Sequence, residues 1–396
     1  MDQRQSIPAH EGRATGMTIA TRPTSVTMWD FSWLLRRHGR ESEYADVDRV
    51  LDELAERGYD SVRIDAFPHW VAADENGVRT ERITALPQGT TFMWGNHETV
   101  EVEPTTALLE FLDGLRARGL RVALSTWLTP DATARSEQVR TPEDLARVWI
   151  ETLTLIEEAG YTNLIDYVDL CNEWPLFTPG PQTTIWPDGA PHGEHLEPWS
   201  DEEVARIDAF AAAVRAVKDR FPELPVLFSY CLRNAELPAA DDCMRITTDG
   251  YDLAEAHLWL SSTPDFVRDT SFANSPVAWD RLAEHQRAVA QAYWPDRARW
   301  MDDLDQLMRR WKHWADDRGL PLWTTECWAS VFWNPDLSDD ADPWAYVRDV
   351  AEFAVPRAIE YGWVGIATSN FSQPHHKALW ADADWHRRMN DLIHNR

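Results

Sequence analysis

Cysteine is scarce in this chain of 396 residues, with four in all. Cys171, Cys231, Cys243 and Cys327 sit in or beside apolar runs, and none has the C-x-x-C spacing of a zinc or redox site, so they read as small buried thiols. Basic charge is short as well. Lys and Arg number 38 against 66 Asp and Glu, a formal net charge of -28, and no run of five basic residues occurs. A nucleic-acid backbone and an anionic membrane surface both need clustered cations, so neither is expected as a partner. No apolar stretch reaches the ~18 residues of a membrane span. Residues 1–24 lack the apolar core of a secretory signal and read as a flexible polar leader, which makes the cytoplasm the expected compartment. The G-x-S-x-G elbow and the G-x-G-x-x-G and G-x-x-x-x-G-K loops are missing, which argues against serine-nucleophile and nucleotide chemistry and leaves no cofactor expected. The pairs His192/His195 and His375/His376 have no His-x-His at the first strand and no matched Asp set beside them, so no metal is expected.

What the chain has in plenty is tryptophan, 22 residues against 13 Phe and 9 Tyr, and a steady alternation of strand-like and helix-like segments. Eight short apolar runs stand out, at 25–31, 60–67, 120–127, 163–173, 224–230, 251–259, 320–326 and 362–371. Amphipathic stretches separate them, at 44–58, 104–118, 142–159, 201–219, 300–318, 343–361 and 377–394, while 235–250 has room for only a turn of helix. Glycines 58, 119, 160, 319 and 362 follow helices and precede strands, as C-caps do. This is the α/β pattern of a single (β/α)8 TIM barrel spanning residues 25–396. Long connections at 68–103, 174–199 and 260–299 follow strands two, four and six and would lie over the C-terminal face, where Trp, Pro and His crowd.

The sharpest local feature is Asp169-Leu-Cys-Asn172-Glu173-Trp174-Pro175 at the end of the fourth strand. Strand alternation puts Asp169, Cys171 and Glu173 on one face, and a carboxylate beside Trp174 is desolvated in the way a general acid requires. A second strand-end carboxylate follows in Trp323-Thr-Thr-Glu326-Cys-Trp328, at the seventh strand. Glutamates ending strands four and seven face each other across a barrel mouth, the arrangement of two-carboxylate glycoside hydrolysis.

With these residues in that order, the sequence resembles glycoside hydrolase clan A, in particular the cellulase-like families around family 5, over residues 25–390. The resemblance implies that Glu173 is the acid/base, that Glu326 is the nucleophile and that Asn172 meets the sugar 2-hydroxyl. It further implies that Arg63, in Ser-Val-Arg-Ile-Asp-Ala-Phe, braces the nucleophile, with Asp65 sharing its parity. His257-Leu-Trp259 matches the clan's His-x-Tyr with Trp in place of Tyr, so the hydrogen bond that Tyr gives the nucleophile would have to come from an indole N–H. The third strand ends in Ser-Thr-Trp127 without the clan's His, and the eighth in Ser-Asn370-Phe in place of a platform Trp. Asp30, at the first strand end, is a candidate for sugar hydroxyls or for an N-cap, and His69 stands where relatives contact substrate, or serves as a surface or loop-bracing residue. Trp127, Trp174, Trp259 and Trp328 are expected to offer faces to a sugar ring. The expected activity is retaining glycoside hydrolysis, exo-acting on short oligosaccharides or glycosides. A non-hydrolytic sugar-binding barrel and a transglycosylase are the alternatives. A carbohydrate is the expected partner, and composition leaves the oligomeric state open.

Overall fold

The computed structural model describes residues 22–88, 94–176, 178–189, 198–231, 238–270, 288–289, 291–329 and 344–395. The leader to residue 21 and the pair His192/His195 lie outside them. Eight parallel strands follow in chain order: β1 (Thr24–Asp30), β2 (Ser61–Asp65), β3 (Arg121–Ser125), β4 (Ile165–Asp169), β5 (Val226–Leu227), β6 (Ala254–Trp259), β7 (Leu322–Thr324) and β8 (Gly365–Ala367). Each pairs with its sequence neighbour, and β1 pairs with both β2 and β8. The fifth strand is divided: Val226–Leu227 pairs with β4, and Tyr230–Cys231 just beyond it pairs with β6. The sheet therefore closes into a barrel, which leaves no long edge open among the described strands.

Each of the eight apolar runs overlaps its strand, and most strands are shorter than their runs, because residues at the run ends leave the ladder at the mouth. After β4 the chain stays extended, with the amides of Leu170, Asn172 and Trp174 donating to Leu227, Thr126 and Ser229, but Glu173 turns into the left-handed region at φ 48°. A non-glycine residue there costs on the order of 1 kcal/mol, which the surrounding bonds must offset. The chain leaves each of the two glutamates through a cis peptide bond, Trp174–Pro175 and Cys327–Trp328.

Helices α1 (Val47–Glu56), α2 (Pro104–Arg118), α3 (Pro142–Glu158), α4 (Ala211–Arg220), α5 (Arg297–Asp316), α6 (Ala345–Glu360) and α7 (Ala383–His394) surround the strands. Their starts follow local chemistry. Asp46 caps α1 through the Arg49 amide, Thr141 and Asp144 form a reciprocal capping box on α3, and proline opens α2 and α3. Gly119 ends α2 at φ 68°, a conformation that costs an L side chain energy. The expected helix at 377–394 is broken into Lys377–Ala381 and α7, because the Asp382 carboxylate accepts from the Trp385 amide and starts a new helix there. Beyond the divided β5, the described residues before β6 form the 3-10 segment Pro238–Arg245.

Each helix turns an apolar stripe inward, such as Leu108, Phe111, Leu112 and Leu115 of α2. The barrel interior holds Trp323 edge-on to Tyr167, and Gly365 gives it room, since a Cβ there would stand 2.0 Å from the indole. The connection after β2 carries a short antiparallel hairpin, Ile83–Ala85 with Val100–Val102. Among the described residues no helix is long and apolar enough to cross a membrane.

Candidate active site

Arg63 is the centre of the site. It lies in the middle of β2 with no solvent exposure. Its Nη2 donates to Asp169 Oδ2 at 2.6 Å and to Asn172 Oδ1 at 2.7 Å, its Nη1 to Glu326 Oε1 at 3.2 Å, and its Nε stands 3.6 Å from Glu255 Oε1. Burial works against the cation, but Glu255 and Asp169 outweigh it and hold the guanidinium above its ordinary pKa. The Trp127 ring covers it, 4.8 Å from its Cζ. Asp169 is fully satisfied: besides Arg63 it accepts from the Ser125 hydroxyl and from the amide and hydroxyl of Ser229.

The two glutamates meet on the other side of this cation. One carboxylate oxygen of Glu173, one of Glu326 and an imidazole nitrogen of His257 lie within 4.8 Å of one another. His257 Nδ1 is 3.0 Å from Glu173 Oε1 and 3.5 Å from Glu326 Oε1, and Nε2 is 3.4 Å from Glu255 Oε1. Burial opposes charging the ring, but Glu326, Glu173 and Glu255 prevail and raise its pKa to about 10. Burial pushes the Glu326 carboxyl up to about 7, with the Glu173 charge adding to the rise and His257 and Arg63 pulling against it. Glu173, His257 and Glu326 are the donor types of a metal site. Here Arg63 and the imidazole already supply positive charge between the carboxylates, so the set reads as an ion-paired cluster. In both glutamates Oε1 is tied to a cation, which leaves Oε2 for a substrate.

The other residues expected from sequence are spread around this cluster. Asn172 accepts from Arg63 through its amide oxygen, which directs its NH2 group away from the arginine. Asp65 accepts from the amides of Phe67 and Trp127 and so braces the loop after β3, with burial raising its pKa to about 7. His69 Nε2 donates to the Thr129 carbonyl at 2.9 Å, and burial holds the ring neutral. Asp30 accepts from the Ser32 amide, as an N-cap does, while its Oδ2 is buried without a partner among the described residues. Burial drives its pKa well up, and the Glu326 charge adds to this. Both amide atoms of Asn370 are likewise buried and unpartnered. Trp127 and Trp259 keep part of their faces open. Trp328 and Trp174 are buried: the first donates to Ala367 and packs on Trp363, the second packs on Phe210 and Phe228. The Trp259 indole donates to no partner among the described residues, and the donors facing Glu326 are Arg63 and His257.

Several site residues escaped the sequence reading. Glu255 shares the parity of His257 on β6, and that signal would have found it. Ser125 and Ser229 bond to the Arg63 and Asp169 pair. Gln373 and His376, past β8, add the buried atoms Oε1 and Nε2, without a partner among the described residues, near Asn370. No sequence periodicity marks those loop positions.

A closed parallel eight-strand barrel with two glutamates facing each other at its C-terminal mouth, an arginine bound to one and a histidine between them, has the architecture of the clan A glycoside hydrolases. Within that class, the chain belongs to the sugar-binding cellulase-like family, whose family model matches residues 26–394. A provisionally assigned glycoside hydrolase from Parabacteroides distasonis ATCC 8503 is 30% identical, with 94% of each chain covered and a TM-score of 0.79. A family 5 broad-specificity endoglucanase from Clostridium longisporum is 14% identical over 93% of this chain and 96% of its own, with a TM-score of 0.50. Cellulose synthase subunit Z from Clostridioides difficile, at 12% identity over 94% of this chain and 99% of its own, has the same score. These two show a common fold. No curated protein matches the chain.

Proposed function

We propose that this chain is a retaining glycoside hydrolase that acts on the ends of short oligosaccharides or on simple glycosides. The observation that carries the reading is the approach of Glu173 and Glu326 to within 4.8 Å, oxygen to oxygen. Retaining enzymes hold their carboxyls roughly 5–5.5 Å apart, whereas inverting ones need a gap of about 6.5 Å or more for a water. Glu326 Oε2 attacks the anomeric carbon while Glu173 gives its proton to the departing oxygen. The ionised Glu173 then takes a proton from water, which displaces the sugar from Glu326. Arg63 and His257 hold the nucleophile in place through its other oxygen, which lowers the cost of aligning it.

The sugar's apolar face would rest on Trp127 and Trp259, and the Asn172 amide would meet a ring hydroxyl. Asp30 and Asn370, with their open hydrogen-bonding atoms, would take hydroxyls on the β8 side. Asp65 and His69 would act on the pocket through the loops they brace, and Trp328 through its packing beneath. Long connections over the mouth, of which the hairpin after β2 is one described part, favour a closed pocket and hence exo action. The four cysteines are free and buried, which suits a reducing cytoplasm.

A second reading, sugar binding without turnover, is favoured by the family's description as sugar-binding and by Trp259 in the clan's Tyr position. One experiment decides between them. Wild type, Glu173→Gln and Glu326→Gln are assayed on a panel of aryl glycosides, with the anomer first released followed by NMR. Hydrolysis with retained configuration, abolished by Glu326→Gln, supports the proposal. An inverted product or unchanged turnover in Glu326→Gln would sink it, and binding with no turnover would move the site to the second reading. Addition of a free sugar acceptor separates hydrolysis from transglycosylation.

A further inference from the structure

Glu255 is a buried carboxylate that the two-glutamate mechanism does not use. It stands on β6 two residues before His257, with no solvent exposure. The Thr325 hydroxyl donates to its Oε1, Arg63 Nε is 3.6 Å from the same oxygen, and His257 Nε2 is 3.4 Å away. The Tyr167 phenol of β4 is buried beside it.

His257 has carboxylate oxygens at both ring nitrogens: Glu255 at Nε2, and Glu173 and Glu326 at Nδ1. A neutral imidazole has one donor and one acceptor, and only the doubly protonated ring donates on both sides. We propose that Glu255 is a positioning residue that fixes the proton on His257 Nε2, so that the ring presents Nδ1–H to both glutamates and any proton the ring exchanges is the one between them. The assignment rests on the reading of Glu173 and Glu326 as the catalytic pair. Its physical basis is a row of charges through the barrel: Arg63 on β2 holds Glu255 ionised, ionised Glu255 requires a donor at Nε2, and that leaves Nδ1 for the mouth. Asp169 on β4 balances the second side of Arg63. In the direction of the pKa shifts, Glu255 is held below the usual carboxylate range, Arg63 overcoming its burial, and the imidazole is raised.

Histidine-labelled protein allows a test that needs no turnover. Long-range 1H–15N spectra resolve the protonation of each ring nitrogen, and His257 is assigned by the signal lost in His257→Asn. In the wild type the ring should remain doubly protonated through pH ~8 and keep Nε2–H when it does lose a proton. Glu255→Gln should lower the midpoint by about two pH units, and Glu255→Asp, which keeps the charge, by less. A wild-type His257 that titrates near the ordinary value of about 6.5 overturns the proposal even if neither Glu255 variant folds, as does an unmoved midpoint in Glu255→Gln. On an active substrate, the alkaline limb of kcat/KM should shift to lower pH in Glu255→Gln, whereas a structural role alone would lower the rate at every pH and leave the limb in place. Failure of the catalytic reading shows separately, as absent turnover with the titration intact.

Discussion

The two halves of the barrel mouth are built on opposite terms. On the side of β2, β4, β6 and β7, Arg63, Asp169, Asn172, Glu173, His257, Glu255 and Glu326 form one connected network of ion pairs and hydrogen bonds. On the side of β8 and β1, Asp30 Oδ2, Asn370 Oδ1 and Nδ2, Gln373 Oε1 and His376 Nε2 are just as buried and carry no hydrogen bond within normal distance among the described residues, with the Gln373 side chain set against Asp30; the network leaves such atoms only singly, at Arg63 Nε and Glu255 Oε2. An unmade buried hydrogen bond costs roughly 1–3 kcal/mol, so a fold keeps several together only where water or a ligand completes them. The closed network suits chemistry, which needs groups held in one geometry before the substrate arrives. The open side suits recognition, where the missing partners are the ligand's own hydroxyls. Under the proposed retaining hydrolysis both are used, with the network residues setting rate and the open-side residues setting sugar preference.

The network side should break hardest. Arg63→Met strands Asp169, Glu255 and Glu326 without their shared cation, and loss of one partner of a buried ion pair costs about 3–5 kcal/mol. Urea denaturation of the folded variant should show that loss, and activity should vanish with it. A denaturation midpoint equal to wild type would show that the network contributes little to stability.

pH separates activity from stability by sign. In the proposed mechanism Glu326 attacks as the carboxylate, and with its midpoint at about 7 the acidic limb of kcat/KM should fall about tenfold per pH unit below that point. Stability should run the other way. Asp65, raised from 3.8 to about 7 by burial, binds its proton more tightly folded than unfolded, so its contribution is full below the unfolded value and is lost as pH rises through 7. Asp30 is raised too, so it adds in the same direction. From about pH 8 to about 6.5 the thermal midpoint should climb as pH is lowered while activity drops; below that, the buried imidazoles of His69, His376 and His386, which burial holds neutral, oppose the rise. Parallel trends would show that another group limits one of them.

Much of the closed side was legible in the sequence, and little of the open side. Glu173 follows from the two-residue period and Glu326 from its strand-end position beside an aromatic, while Arg63 and His257 were legible only through the resemblance to the clan. Glu255 obeys the same parity and was missed only because it lies one pleat deeper. The open side depends on where loops fold back, and no local pattern fixes that for Gln373 or His376. Tryptophan shows the limit most clearly. Trp174 and Trp328 lie in the same kind of strand-end sequence as Trp127 and Trp259, yet the first two are sealed by Phe210, Phe228 and Trp363, partners distant in the chain.

On the open side, Asn370→Ala removes two unpartnered atoms and no internal bond of its side chain, so the thermal midpoint should move by only a few degrees. Loss of hydrogen bonds to a sugar hydroxyl should nonetheless cut kcat/KM about 10–100-fold, and a substrate lacking that hydroxyl should lose less in the variant than in wild type. If every deoxy substrate loses equally in both proteins, Asn370 does not touch sugar and the open side is a water site.

The smallest effect is expected where the halves meet, at Trp127. Its ring covers Arg63 at 4.8 Å and packs edge-on to Phe31 at 5.6 Å, while part of its surface stays open to the mouth. Trp127→Phe keeps a ring over the guanidinium but offers less area and a weaker quadrupole, a difference of about 0.5–1 kcal/mol. That should appear as a two- to five-fold rise in KM with kcat nearly unchanged, because stacking on a sugar face serves ground state and transition state alike. A fall in kcat at constant KM would instead place Trp127 with the network, as part of what keeps Arg63 aligned on Glu326.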